Sequence, residues 1–147
     1  MGDEPAQPNL GLLCSFPHRA LEGRVFAALA AAGFDDLTLA QGRLAARIGD
    51  HGTRLTELAH QAQVTKQTAG FLVDQLERAG YARRVPDPTD GRARLVRLAE
   101  RGRGAVAVAR RVEADVEAEW TAHLGEESAR VLRETLTRLR EVTDPWR

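Results

Sequence analysis

One cysteine, Cys14, stands in the 147 residues, so no disulfide can form within the chain and a reducing compartment is expected. The opening residues MGDEPAQPN lack both the basic segment and the apolar core of a signal peptide. No apolar run approaches the ~20 residues that a membrane-spanning helix needs. We therefore expect a cytoplasmic protein with no membrane partner. Aromatic residues are scarce at 5%, while alanine, leucine, valine and arginine dominate, which points to a mostly helical chain. There is no glycine-rich phosphate loop, no H-E-x-x-H and no G-x-S-x-G. The histidines His18, His51, His60 and His123 have neither metal-ligand spacing nor clustered cysteines or acids. Neither an enzyme, nor a cofactor, nor a metal site is expected.

Net charge is also lacking: 21 basic and 21 acidic side chains cancel. Their distribution is uneven. Residues 1–52 and 103–147 are slightly acidic, whereas residues 53–102 carry nine basic and six acidic groups. That basic stretch is also the most patterned. Leu58, Ala59 and Ala62 form the inward side of one short helix, for which Thr56 is the expected cap. Val64-Thr65 makes a turn, with Thr65 placed to cap a second helix. In that helix Ala69, Leu72, Val73 and Leu76 fall at i, i+3, i+4, i+7, one apolar stripe. Gln67, Gly70, Phe71, Asp74 and Arg78 then point away from the core, Lys66 lies on the flank, and Gly80 stops the helix. Tyr81–Pro86 and Arg92–Leu98 read as strands around the turn formers Asp87 to Gly91. Two helices, a tight turn and a β-ribbon describe a winged helix-turn-helix.

The flanks read as amphipathic helix. From Asn9 to Ala32 apolar residues recur at Leu10, Leu13, Cys14, Leu21, Val25 and Leu29. Pro17 makes this either one kinked helix or two helices broken near Ser15–Pro17. Thr38 and Gln41 have capping-box spacing, ahead of a stripe of Leu39, Leu44, Ala45 and Ile48. After the ribbon, a long helix over 101–124 carries Val106, Ala109, Val112, Val116 and Trp120. Gly125 breaks it, and a last helix buries Leu132, Leu136 and Leu139 before Pro145. The fold class is thus mostly α with a small β-ribbon. The central module has its own small core, which leaves the flanking helices as a two-fold dimer interface. The expected division is 9–34 with 103–147 as the helical dimerisation region, and 35–102 as the winged helix-turn-helix.

The motifs LTLAQ, RLTELA, VTKQTAGFLVDQLERAGYARR and DPTDGRARLVRLAERG make the chain resemble the MarR family of bacterial transcription regulators, from about Leu10 to Leu139. The resemblance implies a homodimer whose recognition helix enters the major groove and whose wing arginine enters the minor groove. It departs from the family pattern at Gly91, where a second wing arginine is common, at Ala99, where a capping threonine is common, and at Phe71, where a basic residue is common.

The recognition-helix candidates are Thr65, Lys66, Gln67, Thr68, Gly70 and Phe71, because helix-turn-helix proteins use the start of this helix on phosphates and base edges. The wing candidates are Arg84, Asp90, Arg92 and Arg94, with Arg92 favoured for a narrow minor groove and Asp90 for orienting an arginine or closing the turn. Pro17, His18 and Leu21 mark an effector pocket at the expected helix break. Cys14 reads as a small buried residue, with a redox-sensing thiol as its alternative. The expected function is a homodimeric, sequence-specific DNA-binding transcription regulator, a repressor released by a small-molecule effector. Its partners are double-stranded DNA bearing a pseudo-palindromic operator, a second copy of the chain, and that effector. The alternatives are a thiol-based redox regulator acting through Cys14 and a winged-helix protein-interaction module.

Overall fold

The computed structural model describes residues 7–144; residues 1–6 and the Pro145 stop lie outside it. Among the described residues six helices and three short strands follow one another. Helix α1, Leu10–Ala31, starts at Asn9, whose side chain accepts the Leu12 N–H at 2.9 Å. It is one helix, not two. Pro17 lies inside it, where the missing N–H removes a single backbone bond. Gly33 at φ 92 ends it, and Phe34 N–H folds back to the Leu29 carbonyl at 2.8 Å.

Helix α2, Leu39–Ala45, has the complete capping box: Thr38 Oγ1 accepts from Gln41 N–H at 3.2 Å, and Gln41 Oε1 accepts from Thr38 N–H at 3.0 Å. Leu44 and Ile48 are buried as expected, but Leu39 is 41% exposed: the first residue of this short helix leaves the inward side to Gln41 and Leu44. Strand β1, Thr53–Arg54, leads directly into α3, Leu55–Gln61. Thr56 is therefore inside α3 rather than its cap. Pairing of β1 with the wing fixes the helix start two residues earlier, and Arg54 stands at the cap position without a side-chain capping bond. The tight turn centres on Gln63 at φ 55, with Val64 N–H bonded to the Ala59 carbonyl. Helix α4, Lys66–Arg78, begins at Thr65, whose hydroxyl accepts the Thr68 N–H at 3.1 Å. Its stripe Ala69, Leu72, Val73 and Leu76 is buried.

The ribbon is longer than its sequence pattern. Strands β2, Ala82–Asp87, and β3, Asp90–Leu98, close around Pro88-Thr89, with an irregularity at Pro86/Asp87. The sheet order is β1-β3-β2, all antiparallel, with Thr53 opposite Val96 and Ala82 opposite Leu98. Helix α5, Glu100–Leu124, begins at Ala99 with no side-chain cap. Gly125 at φ 83 turns the chain into α6, Glu126–Thr143.

The core is not confined to the central module. Leu44, Leu58, Val73, Leu76, Tyr81 and Val96 are joined in it by Leu29 of α1 and Ala105 of α5. The flanking helices thus have something to bury against within one chain. Arg24 of α1 pairs with Glu119 of α5, and Arg133 of α6 donates to Glu117 of α5 at 3.1 Å. Helix α6, however, buries none of its residues. The leucines expected inside, Leu132, Leu136 and Leu139, are 48, 41 and 41% exposed. Leu10, Leu13 and Phe16 of α1 are exposed as well. No helix among the described residues is long and apolar enough to cross a membrane.

Candidate nucleic-acid interface

Helix α4 presents two faces of different chemistry. Its buried stripe fixes the helix on α2 and α3, which leaves Lys66, Gln67, Asp74 and Phe71 in solvent. Thr65 and Thr68 bond each other through their hydroxyls at 3.0 Å, so both are pre-set at the helix start. Gly70 sits one turn further, where an added Cβ would meet only Leu55 at 3.7 Å. The six candidates of the recognition helix therefore share its amino-terminal half.

The wing lies beside this helix, and Arg84 holds it there. Its guanidinium reaches Glu77 at 2.6 Å and Asp74 at 2.9 Å, while its backbone N–H donates to Glu77 at 2.7 Å. Strand β2 leaves α4 so soon that Arg84 points back over the acidic end of the helix. Arg84 is a brace rather than a free wing cation. Arg92 and Arg94 are exposed and make no ion pair among the described residues. They continue, at two-residue spacing, the face of β3 that carries the buried Val96. Asp90 accepts the Arg92 N–H at 3.1 Å and stands 3.9 Å from Arg54.

Two groups missed in the sequence shape the wing. Arg54 on β1 bonds Asp87 at 2.7 and 3.0 Å. Asp87 also accepts the backbone N–H and the hydroxyl of Thr89. Those Thr89 bonds, with Arg54 next, hold its carboxyl down at about 2. At the root of the wing, Tyr81 donates its hydroxyl to Asp36, and Arg101 covers the Tyr81 ring at 4.3 Å. Arg101 also donates to Asp36 at 2.7 Å and to the Ala79 carbonyl at 2.8 Å. Burial, then the bond to Asp36, pushes the Tyr81 phenol up to about 12. Arg101, then Tyr81, lowers Asp36. Neither cluster has a signature spacing: the partners are 33 and 45 positions apart.

A cavity of about 600 Å³ lies between α1, α2 and α5, within the usual range for small-molecule sites. Its floor is apolar, with Leu21, Val25, Phe26 and Val106. Its rim carries His18, Arg43, Arg47 and Glu113. Arg43 is engaged by Glu22 through two bonds of 2.9 Å, which lower the Glu22 carboxyl. Of the pocket candidates His18 and Leu21 line this space; Pro17 does not, and no helix break forms it. Helix α2 walls the cavity on one side and, through Gln41, donates to Gln75 of α4 at 3.0 Å. Cys14 is exposed rather than buried, because the first turns of α1 extend beyond the core. Among the described residues no group of histidines, cysteines or acids could hold a metal ion.

A helix-turn-helix packed against a three-stranded wing defines a winged helix-turn-helix protein. Residues 35–93 match the MarR family model. The transcriptional regulator PA4135 is 26% identical, with 92% of this chain and 98% of that chain covered and a TM-score of 0.68. MarR is 26% identical, over 91% of this chain and 96% of that one, with a TM-score of 0.70. In fold, and in sequence over residues 35–93, the chain is similar to MarR-family winged-helix regulators. The repressor CouR shares the fold at lower identity. Bound to a 23-mer DNA duplex it is 23% identical, covers 89% of this chain and 92% of that one, and gives a TM-score of 0.67. CouR from Rhodococcus jostii RHA1, bound to p-coumaroyl-CoA, is 22% identical, covers 93% of each chain, and gives 0.72. No curated protein matches in sequence.

Proposed function

We propose that the chain is a homodimeric, sequence-specific DNA-binding transcription regulator, a repressor released from its operator by a small molecule. The observation that carries this is the pairing of the solvent face of α4 with an adjacent wing whose Arg92 and Arg94 are uncommitted. Lys66 and the helix start suit phosphate, Gln67 suits a base edge, and Arg92 suits the negative potential of a narrow minor groove. CouR, which has the same fold, is bound to a 23-mer DNA duplex in its structure, and this supports the reading.

In this reading residues 9–34 and 103–147 form the dimerisation region and 35–102 the DNA-binding region. The exposed leucines of α6 and the amino-terminal residues of α1 supply the apolar surface that a second copy covers. Closed two-fold symmetry then places the two recognition helices on pseudo-palindromic half-sites about one helical turn, ~34 Å, apart. An effector in the α1–α2–α5 cavity acts through α2, which touches it and also hydrogen-bonds α4 through Gln41 and Gln75. A ligand that binds the DNA-incompetent arrangement more tightly shifts the population away from DNA. CouR with p-coumaroyl-CoA is a relative of this fold that holds a small molecule.

The test is a gel shift with the DNA upstream of the protein's own gene. Sequence-selective binding that weakens with salt and is lost in Lys66→Ala and Arg92→Ala is expected. Binding of a protein partner unaffected by those two changes, with no selectivity for any duplex, would favour an interaction module instead. Exposure of Cys14 keeps a thiol-based switch testable: oxidant-induced release from DNA that persists in Cys14→Ser excludes it.

A further inference from the structure

Phe71 is out of place for a surface helix. It is 58% exposed, while the other large apolar side chains of α4 are buried. Burying such a ring is favourable, yet its neighbours leave it open. Gly70 offers no side chain to cover it, and Arg84, which could lie across it, is drawn back onto Asp74 and Glu77. Gln67, one turn earlier, shares its face. Lys66 at the start of the same helix, and Arg92 and Arg94 on the wing, are exposed cations that make no ion pair among the described residues. An exposed apolar ring on a helix that begins with an unpaired lysine, beside a wing that carries two more unpaired cations, suits a polyanion that offers one apolar group at its surface.

Duplex DNA has such a group. On the floor of the major groove, the only apolar substituent of the four bases is the C5-methyl of thymine, and a glutamine amide matches the N6/N7 edge of adenine. We infer that Phe71 is a specificity-determining residue that packs on a thymine methyl in each half-site, next to a base read by Gln67. This rests on α4 being the DNA-reading helix. Where a basic residue at this position would contribute charge without sequence preference, the ring contributes preference with no charge.

The test uses the full-length protein. Its preferred duplex is first selected from a random-sequence pool. Each thymine of the half-site is then replaced by deoxyuridine, which removes the methyl group and leaves every hydrogen-bonding group in place. At one position per half-site, affinity should fall about fourfold, the worth of one buried methyl, and about fifteenfold when both half-sites are changed. Phe71→Ala should bind more weakly and show no penalty at that position; Phe71→Leu should keep part of it. A deoxyuridine penalty identical in wild type and Phe71→Ala would overturn the inference, as would unchanged affinity and preference in Phe71→Ala. Failure to enrich any sequence would overturn the DNA-binding reading itself, and the inference with it.

Discussion

Replacing Gly102 by alanine adds one methyl group where α5 passes the root of the wing. A Cβ there would lie 2.1 Å from the Tyr81 carbonyl oxygen and 3.1 Å from Leu98 Cδ2. The first neighbour is backbone, so no side-chain rotation relieves the overlap. That same carbonyl accepts the Ala99 N–H at 2.9 Å, the bond that seats the start of α5 on the beginning of β2. Overpacking of this kind costs about 1–3 kcal/mol, and a disturbed hydrogen bond adds about 1 kcal/mol. Alanine's better helix propensity returns up to ~1 kcal/mol. The net is a destabilisation of about 2 kcal/mol, or a melting temperature lower by roughly 4–8 °C for a chain of this size. Gly23→Ala is the matched control: it is also inside a helix, with nothing within 4 Å of the new Cβ. It should stabilise by about 0.5–1 kcal/mol. Circular dichroism melts of both variants, at one fixed protomer concentration, give the answer. Changes of the same sign in the two variants would refute the steric reasoning.

Other perturbations separate the remaining parts of the account. Leu136→Glu places a charge in the exposed apolar face of α6 and should convert dimer to monomer by light scattering, with helix content retained. Tyr81→Phe removes a buried hydroxyl bonded to the charged Asp36, which Arg101 still holds; a loss near the low end for charged bonds, about 1.5 kcal/mol, is expected in urea unfolding. Asp87 has a folded pKa of about 2, below its ordinary 3.8. Its contribution is therefore present above 3.8 and is lost as the pH falls toward 2. Wild type should lose stability over that interval more steeply than Asp87→Asn in acid melts; equal slopes would remove Asp87 from the wing's support.

Periodicity made much of this fold readable. The stripe of α4 and the caps at Thr38 and Thr65 are local patterns, and a local pattern is visible in one stretch of chain. The start of α3 was misplaced because Thr56 is a good cap by chemistry, while the pairing of Thr53 and Arg54 with β3 decides where the helix begins. The turn before α4 reads as Val64-Thr65 in the sequence but centres on Gln63, because a glutamine rather than a glycine takes the left-handed conformation there. Leu132, Leu136 and Leu139 carry a burial pattern that one chain leaves open. At the site, α4 and the wing arginines were accessible from sequence because they follow a motif. The brace at Arg84, the Arg54–Asp87 clamp and the Tyr81–Asp36–Arg101 cluster were not. Each joins side chains from separate elements, with no spacing to announce it.

The most direct test of the central claim is a salt-dependent titration of a labelled, selected duplex with wild type, Lys66→Ala and Arg92→Ala, followed by fluorescence anisotropy. The account predicts tight, sequence-selective binding by wild type. Affinity should fall steeply with salt, and the logarithmic slope should be smaller by about one for each phosphate contact removed. Binding that is insensitive to salt, or that survives both substitutions unchanged, would contradict it.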